Sequence, residues 1–296
     1  MDYLKKIQDI KTLKVQGAEN IAKAGLTILR DFARQNRSDD KKFMRGFLAL
    51  ANKVSRARPT EPALRQEIFF VTEKVKISKT PKKDTIKLCN FYIKNILLVK
   101  KKIALYGSRK IKNKDIIMTH CHSNTVMAIF REAKKQGKKF SVIVTETRPK
   151  MQGEKTANDL RRMRVPFIYV LDSAMALFMK QATKVFVGSD ALLSNGSIVN
   201  KIGTEATAIV AKEFRVPVFV AAGTHKFDEK TIFGFEEPLE ERNPKEIWNN
   251  KKIKILNPAF DITSANYISE IITERGVFSP NALAAILSKE AIGNVH

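Results

Sequence analysis

Asp115-Ile116-Ile117-Met118-Thr119-His120-Cys121-His122-Ser123-Asn124 sets a short continuous apolar run directly before a polar cluster. The segment after it carries Val126, Ile129, Phe130 and Ala133 at helical spacing. A brief apolar run closed by polar residues and followed by an amphipathic stretch predicts a strand buried on both faces, then a covering helix. The unit recurs downstream. Ser141-Val142-Ile143-Val144, Phe167-Ile168-Tyr169-Val170-Leu171, Val185-Phe186-Val187 and Val218-Phe219-Val220-Ala221 are similar runs with helix-length segments between them. Such alternation predicts an α/β domain over 111–296 with a parallel, doubly wound sheet. In that architecture ligands bind beyond the carboxyl ends of the strands, so the residues just after each run are where chemistry is sought.

Upstream, residues 1–110 predict a helical domain. Ile21, Ile28, Leu29 and Phe32 make one apolar stripe. Phe43, Phe47, Leu50, Ala51 and Val54 make a second, and Leu64, Ile68, Val71 and Val75 a third. Each is the single apolar face of a helix in a small bundle. A longer helix is expected after Pro81, with Ile86, Cys89, Ile93, Ile96 and Ile103 on one face. Cys89 is then a buried small hydrophobe.

The 296 residues, 44% hydrophobic and 28% charged, suit a globular chain and exclude a collagen-like or wholly disordered one. No apolar run approaches the roughly 18–20 residues that span a bilayer. Met1-Asp2-Tyr3-Leu4-Lys5-Lys6 lacks the apolar core of a signal peptide, so a cytoplasmic protein without membrane contact is expected. Two cysteines without a CxxC pair argue against a disulfide scaffold and a zinc ribbon. Lys and Arg number 54 against 30 Asp and Glu, a net charge of +24 that favours polyanionic or phosphorylated partners. Ordinary solvated lysine accounts for the same surplus, because the bases are spread and lack interleaved aromatics. The densest stretch holds Lys100, Lys101, Lys102, Arg109, Lys110, Lys112 and Lys114 with no acid, and is a candidate for a nonspecific RNA contact.

Cys121 follows the first strand and precedes a helix whose N-cap is Ser123 or Asn124. A helix N-terminus favours the thiolate and is expected to lower the thiol pKa, which suits proton transfer or nucleophilic work. A packed, inert cysteine is the alternative. His120 and His122 lack a third ligand at metal spacing, so polar lining is their expected role and no metal is assigned. After the second strand, Arg148 offers a planar fork for a phosphate and Gln152 an amide for sugar hydroxyls, although either suits a surface loop as well. After the fourth, Gly188-Ser189-Asp190 puts a carboxylate at the same edge, able to act as base or acid. Asn200-Lys201-Ile202-Gly203-Thr204 adds a cation for a phosphate or oxyanion, and opens a helix whose N-terminus is a second expected place for an anion. Neither GxGxxG nor GxxxxGK[ST] occurs, so a standard dinucleotide or P-loop site is not supported. A thiol, a carboxylate, two cations and two amides at one sheet edge point to proton movement within a phosphorylated, hydroxyl-rich substrate.

At these residues the chain resembles the superfamily that unites the alpha, beta and delta regulatory subunits of translation initiation factor 2B with two sugar-phosphate isomerases. Those are methylthioribose-1-phosphate isomerase and the archaeal ribose 1,5-bisphosphate isomerase. The markers are Thr119-His120-Cys121, Thr145-Glu146-Thr147-Arg148-Pro149 with Gln152-Gly153, Gly188-Ser189-Asp190, Asn195-Gly196, Asn200-Lys201-Ile202-Gly203-Thr204 and Asn257-Pro258-Ala259-Phe260-Asp261-Ile262-Thr263. The resemblance covers nearly the whole chain. It implies an N-terminal helical domain joined to a Rossmann-like domain, with a homodimer or higher even oligomer. It also implies cofactor-independent isomerisation of an anomeric sugar phosphate, with ribose 1,5-bisphosphate going to ribulose 1,5-bisphosphate as the expected conversion. Cys121 and Asp190 match the family's catalytic cysteine and aspartate. Its phosphate and sugar contacts fall on Gln16, Gly17, Ala18, Arg58, Arg148, Gln152, Asn200 and Lys201. One position departs from the pattern, because Gln16 stands where the family's Arg-Gly-Ala turn has arginine. A hydrogen bond to a charged partner is worth roughly 1.5–3 kcal/mol, so weaker binding or a different substrate is expected there. The alternative carried by the same resemblance is a noncatalytic, regulatory-subunit-like protein that docks on translation initiation factor 2. Gln16 and the basicity favour that alternative. The presence of both Cys121 and Asp190, a pair that regulatory subunits generally lack, favours the enzyme.

Overall fold

The computed structural model describes every residue except Met1, Asp2, Leu13, Gln16, Pro59, Thr60, Glu237, Pro238, Lys251 and 294–296. The chain divides into two compact units, Met1–Val99 and Lys100–His296. The first holds α1 (Tyr3–Lys11), α2 (Ala18–Gln35), α3 (Asp40–Ser55), α4 (Pro62–Lys76) and most of α5 (Pro81–Arg109), which runs on into the second. The helices begin where the chain allows it. Asp39 caps α3 by accepting from the Lys42 amide at 2.8 Å, and proline opens α4 and α5, where its missing N–H costs nothing. The three apolar stripes close on one another as expected: Ile21, Leu29, Phe43, Phe47, Val54, Leu64 and Val71 are all buried. Cys89 joins this core fully buried, and burial pushes its thiol up to about 12. One polar intruder sits there. Glu67 on α4 is 4% exposed, burial raises its carboxyl to about 8, and its Oε2 has no hydrogen-bond partner among the described residues.

The second unit is an α/β sandwich. In order it contains β1 (Ile116–Thr119), α6 (Asn124–Lys135), β2 (Ser141–Thr145), α7 (Gln152–Met163), β3 (Phe167–Val170), α8 (Met175–Met179), β4 (Lys184–Gly188), β5 (Ala191–Leu192), β6 (Ile198–Lys201), α9 (Thr204–Glu213), β7 (Val218–Ala221), β8 (Phe260–Thr263), β9 (Glu270–Thr273), β10 (Gly276–Phe278) and α10 (Pro280–Gly293). All five expected strands form. They lie in a seven-stranded sheet of order β10-β9-β7-β4-β1-β2-β3, parallel except for the β9–β10 hairpin. One expectation fails at the edge. β3 is not buried on both faces: it ends the sheet, and Ile168 and Tyr169 stay 44% and 40% exposed. A smaller antiparallel sheet, β5-β6-β8, pairs Asn200 with Asp261 and Lys201 with Phe260. A part-buried ion pair locks the amino ends of β1 and β4, with Lys184 Nζ 2.7 and 2.6 Å from the two oxygens of Asp115. In the basic stretch, Lys110 is already engaged by Glu270 at 2.5 Å. No helix among the described residues is long and apolar enough to cross a membrane.

Candidate active site

The parallel strands β1, β2 and β4 deliver their carboxyl ends side by side, and the chain does something different after each. After β1 it turns sharply at Cys121, whose φ of 63° is left-handed and disfavoured for a side chain with a Cβ. Two threonines hold that turn. The Cys121 amide donates to Thr147 Oγ1 at 2.9 Å, and its carbonyl accepts from Thr156 Oγ1 at 3.0 Å. Ser123 is the N-cap of α6, accepting from the Val126 amide. Cys121 as a whole is buried, 9% exposed. Burial pushes its thiol up to about 11; Lys201 and the His122 amide pull the other way, while the carboxylates of Asp190 and Asp172 add to the rise. The expected lowering by the helix N-terminus therefore does not occur, because loss of water outweighs it. At neutral pH Cys121 is a protonated thiol.

After β4, Ser189 and Asp190 are pinned from behind. Ser189 Oγ donates to the Ala191 carbonyl at 2.6 Å, the Asp190 amide to the Val199 carbonyl at 2.8 Å, and the buried Lys226 ammonium to the Ser189 carbonyl at 2.5 Å. Asp190 is half-buried, and its carboxylate is close enough to Cys121 to act on the thiol's protonation. Lys201 ends β6, with its ammonium 4.4 Å from the centroid of the Phe260 ring opposite it. Asn200 is buried and donates to Thr204 Oγ1 at 3.0 Å.

The N-terminus of α9 is not the second anion site that the sequence led us to expect. Asp261 already fills it, its Oδ2 accepting from the Gly203 amide at 2.6 Å and the Glu205 amide at 3.2 Å. Burial lifts the Asp261 carboxyl to about 6 despite those bonds. Gly203 is required at the head of this turn, since its φ is 98° and an added Cβ would lie 2.8 Å from two atoms of the His120 ring.

After β2 the chain forms a loop folded round Asp172. The amides of Thr147 and Arg148 donate to its two carboxylate oxygens at 2.9 and 2.7 Å. Arg148 is exposed and Gln152, the first residue of α7, is half-buried. Gly153 lets α7 press on the strand end, since a Cβ there would meet the Thr145 carbonyl at 2.0 Å. Lys150 is tied at 2.9 Å to Glu246, whose carboxylate Arg242 also holds. His120 and His122 are not a ligand pair. The first bonds to Thr145 and the Ile202 carbonyl, the second to Thr156 and Asn124. Among the described residues, no three His, Cys, Asp or Glu side chains are grouped to hold a metal.

Cys121, Asp190 and Lys201 thus share one electrostatic environment, with Asn200 next to Lys201. Arg148 and Gln152 lie on the neighbouring loop and helix start. Gly17, Ala18 and Arg58 belong to the Met1–Val99 unit. There Gly17, at φ 85°, precedes α2, Ala18 is its buried first residue, and buried Arg58 pairs with Glu61 at 3.5 Å. Gln16 lies outside the described residues. Sequence reasoning passed over Asp172, Lys226 and Thr156, and quoted Thr145, Thr147 and Asp261 without giving them work. The only signal for Asp172 was its place just after an apolar run.

Residues 14–280 match the model of the Initiation factor 2 subunit family. The chain belongs to that family. Within it, this chain is 36% identical to the ribose 1,5-bisphosphate isomerase of Thermococcus kodakarensis, with 98% of this chain and 94% of that protein aligned. It is 35% identical to the methylthioribose-1-phosphate isomerase of Maridesulfovibrio salexigens, over 79% of this chain and 75% of that one. Among solved structures, the translation initiation factor eIF-2B of Pyrococcus horikoshii superposes with a TM-score of 0.85 at 28% identity, covering 95% of this chain and 98% of that chain. The proteins to which this chain is similar thus include ones named for catalysis and one named for translation.

Proposed function

We propose that this protein is a cofactor-independent aldose–ketose isomerase that converts ribose 1,5-bisphosphate to ribulose 1,5-bisphosphate. The observation that carries it is that Cys121 and Asp190, far apart in sequence, are near enough for the carboxylate to shift the thiol. Full-length likeness to ribose 1,5-bisphosphate isomerases supports the choice of substrate.

A phosphate on the anomeric oxygen prevents spontaneous ring opening, so the protein must supply the protons. As the bond from C1 to the ring oxygen breaks, that oxygen gains a proton. A thiol raised to about 11 is protonated at neutral pH, which makes Cys121 the donor. As the C2 ketone forms, the C2 hydroxyl loses its proton, and the Asp190 carboxylate is the acceptor. One hydrogen passes from C2 to C1, so the reaction balances with no external oxidant or reductant. The proton on Asp190 then returns through solvent to the thiolate. Lys201 and Arg148 hold phosphate, Asn200 and Gln152 offer amides to hydroxyls, and Gln16, Gly17, Ala18 and Arg58 are further substrate contacts. A cytoplasmic homo-oligomer of even number belongs to the same proposal, and the apolar edge at Ile168, Tyr169 and Leu171 supports pairing with a second copy.

Likeness to the Pyrococcus eIF-2B structure favours a second reading, a noncatalytic protein that binds translation initiation factor 2. Phosphorus NMR of ribose 1,5-bisphosphate with wild type, Cys121→Ser and Asp190→Asn separates the two. The isomerase turns over, and each folded variant loses about 10²–10⁴-fold, the usual worth of one proton-transfer group. A wild type inert on every anomeric pentose phosphate that captures purified initiation factor 2 overturns the enzyme.

A further inference from the structure

His120 is 2% exposed and bonded at both ring nitrogens. Its Nε2 lies 2.8 Å from the Ile202 carbonyl, which can only accept, so Nε2 carries the proton. Nδ1 therefore accepts from the Thr145 hydroxyl at 2.7 Å. Asp172 Oδ1, at 3.8 Å from Nδ1, is beyond hydrogen-bond range. Burial lowers the imidazole's pKa, in keeping with a neutral ring of fixed tautomer.

What this ring connects matters more than how tightly it is held. On one side His120 is the residue before Cys121, in the strained turn after β1. On the other it grips Ile202, the residue after Lys201, and Gly203 is packed so closely that a Cβ would strike the ring. Asp261 holds the far side of the same turn through the Gly203 and Glu205 amides. The thiol and the ammonium are thus carried by two separate chain segments, and the imidazole is a rigid connection between them. The charged groups acting on the thiol are Lys201, which favours its ionised form, and Asp190 and Asp172, which oppose it. We propose that His120 is a positioning residue, a neutral crossbar that sets the separation of the Cys121 thiol from the Lys201 ammonium. The proposal rests on the assignment of both groups to one sugar-phosphate site.

Ligand-free alkylation of Cys121 by iodoacetamide at pH 8, read by mass spectrometry of its peptide, tests it without any turnover. Well below the thiol's midpoint the rate follows the thiolate fraction, so at fixed pH a rise of half a unit in the thiol's pKa slows it about threefold. Lys201→Met sets the scale for complete loss of the ammonium. His120→Phe, which fills the space and donates nothing, is expected to slow alkylation at least threefold. His120→Gln, whose amide N–H can reach the Ile202 carbonyl, is expected to recover most of the wild-type rate. In the Lys201→Met background, His120→Phe is expected to change nothing further, because the effect runs through the ammonium. Simple loosening of the fold does the opposite and exposes the thiol to faster reaction. Thr145→Val, which removes the Nδ1 partner and leaves the ring held by the Ile202 carbonyl alone, serves in the same cycle where His120→Phe does not fold. Unchanged or faster alkylation in the folded variants, or an equal fall with and without Lys201, overturns the crossbar. A shifted alkylation rate in a protein that turns over no sugar phosphate leaves the crossbar standing and removes the isomerase instead.

Discussion

Replacing Gly203 with alanine should damage this protein far more than the same change at Gly137, although both residues have positive φ. At Gly137, φ is 77° and an added Cβ meets nothing within 4 Å. Its cost is the left-handed backbone alone, about 1–2 kcal/mol. At Gly203, φ is 98° and the new methyl lies 2.8 Å from Cε1 and Nε2 of His120. The ring is held at both nitrogens, so relief requires giving up the bond to the Ile202 carbonyl. Losing that bond and stranding a buried carbonyl adds about 1–3 kcal/mol to the same backbone strain. Gly203→Ala is thus expected to cost about 2–5 kcal/mol in total. Urea unfolding of both variants, followed by circular dichroism, measures the difference. Equal losses for the two would show that the His120 ring does not bear on this turn, and would remove the reason given for glycine at position 203.

Other consequences follow from the buried charges. Glu67 has a folded-state carboxyl raised to about 8 from an ordinary value near 4.5, so its penalty is absent below about pH 4.5 and grows until about pH 8. Glu67→Gln should therefore gain stability over wild type, by a few kcal/mol at pH 8 and little at pH 4.5; urea titrations at the two pH values test the slope. Lys184→Met leaves Asp115 buried without its ammonium and should cost about 3 kcal/mol, read from the same unfolding curves. Glu246 is held at about 2, chiefly by its hydrogen bonds to Arg242, so its contribution is full above about pH 4.5 and is lost as pH falls toward 2. Hydrogen-exchange protection at residues 240–250, relative to the intrinsic rate at each pH, should fall over that range, and Glu246→Gln should lower it already at pH 7.

The sheet was legible where strands are continuous apolar runs, as at Ile116-Ile117-Met118 and Val218-Phe219-Val220-Ala221. Ile198-Val199-Asn200-Lys201 and Phe260-Asp261-Ile262-Thr263 were not read as strands, because polar residues interrupt them. Cys121 and Asp190 were singled out because each follows an apolar run, and Lys201 because it lies in the polar stretch after the fourth run; the family resemblance pointed to the same three. The supporting carboxylates were not found, for a physical reason. Asp261 reaches the α9 N-terminus from 58 residues away, and a lone aspartate in sequence does not reveal which amides it will cap. The thiol's shift was expected in the wrong direction because helix position is local and readable, whereas burial is set by the whole fold.

A crystal structure of the protein with ribulose 1,5-bisphosphate bound tests the central claim most directly. The account requires C1 and C2 of the sugar to lie between Cys121 Sγ and the Asp190 carboxylate, each within about 3.5 Å of a reacting atom, with a phosphate against Lys201. A sugar bound elsewhere, or one that leaves the thiol or the carboxylate out of reach of C1 and C2, contradicts it.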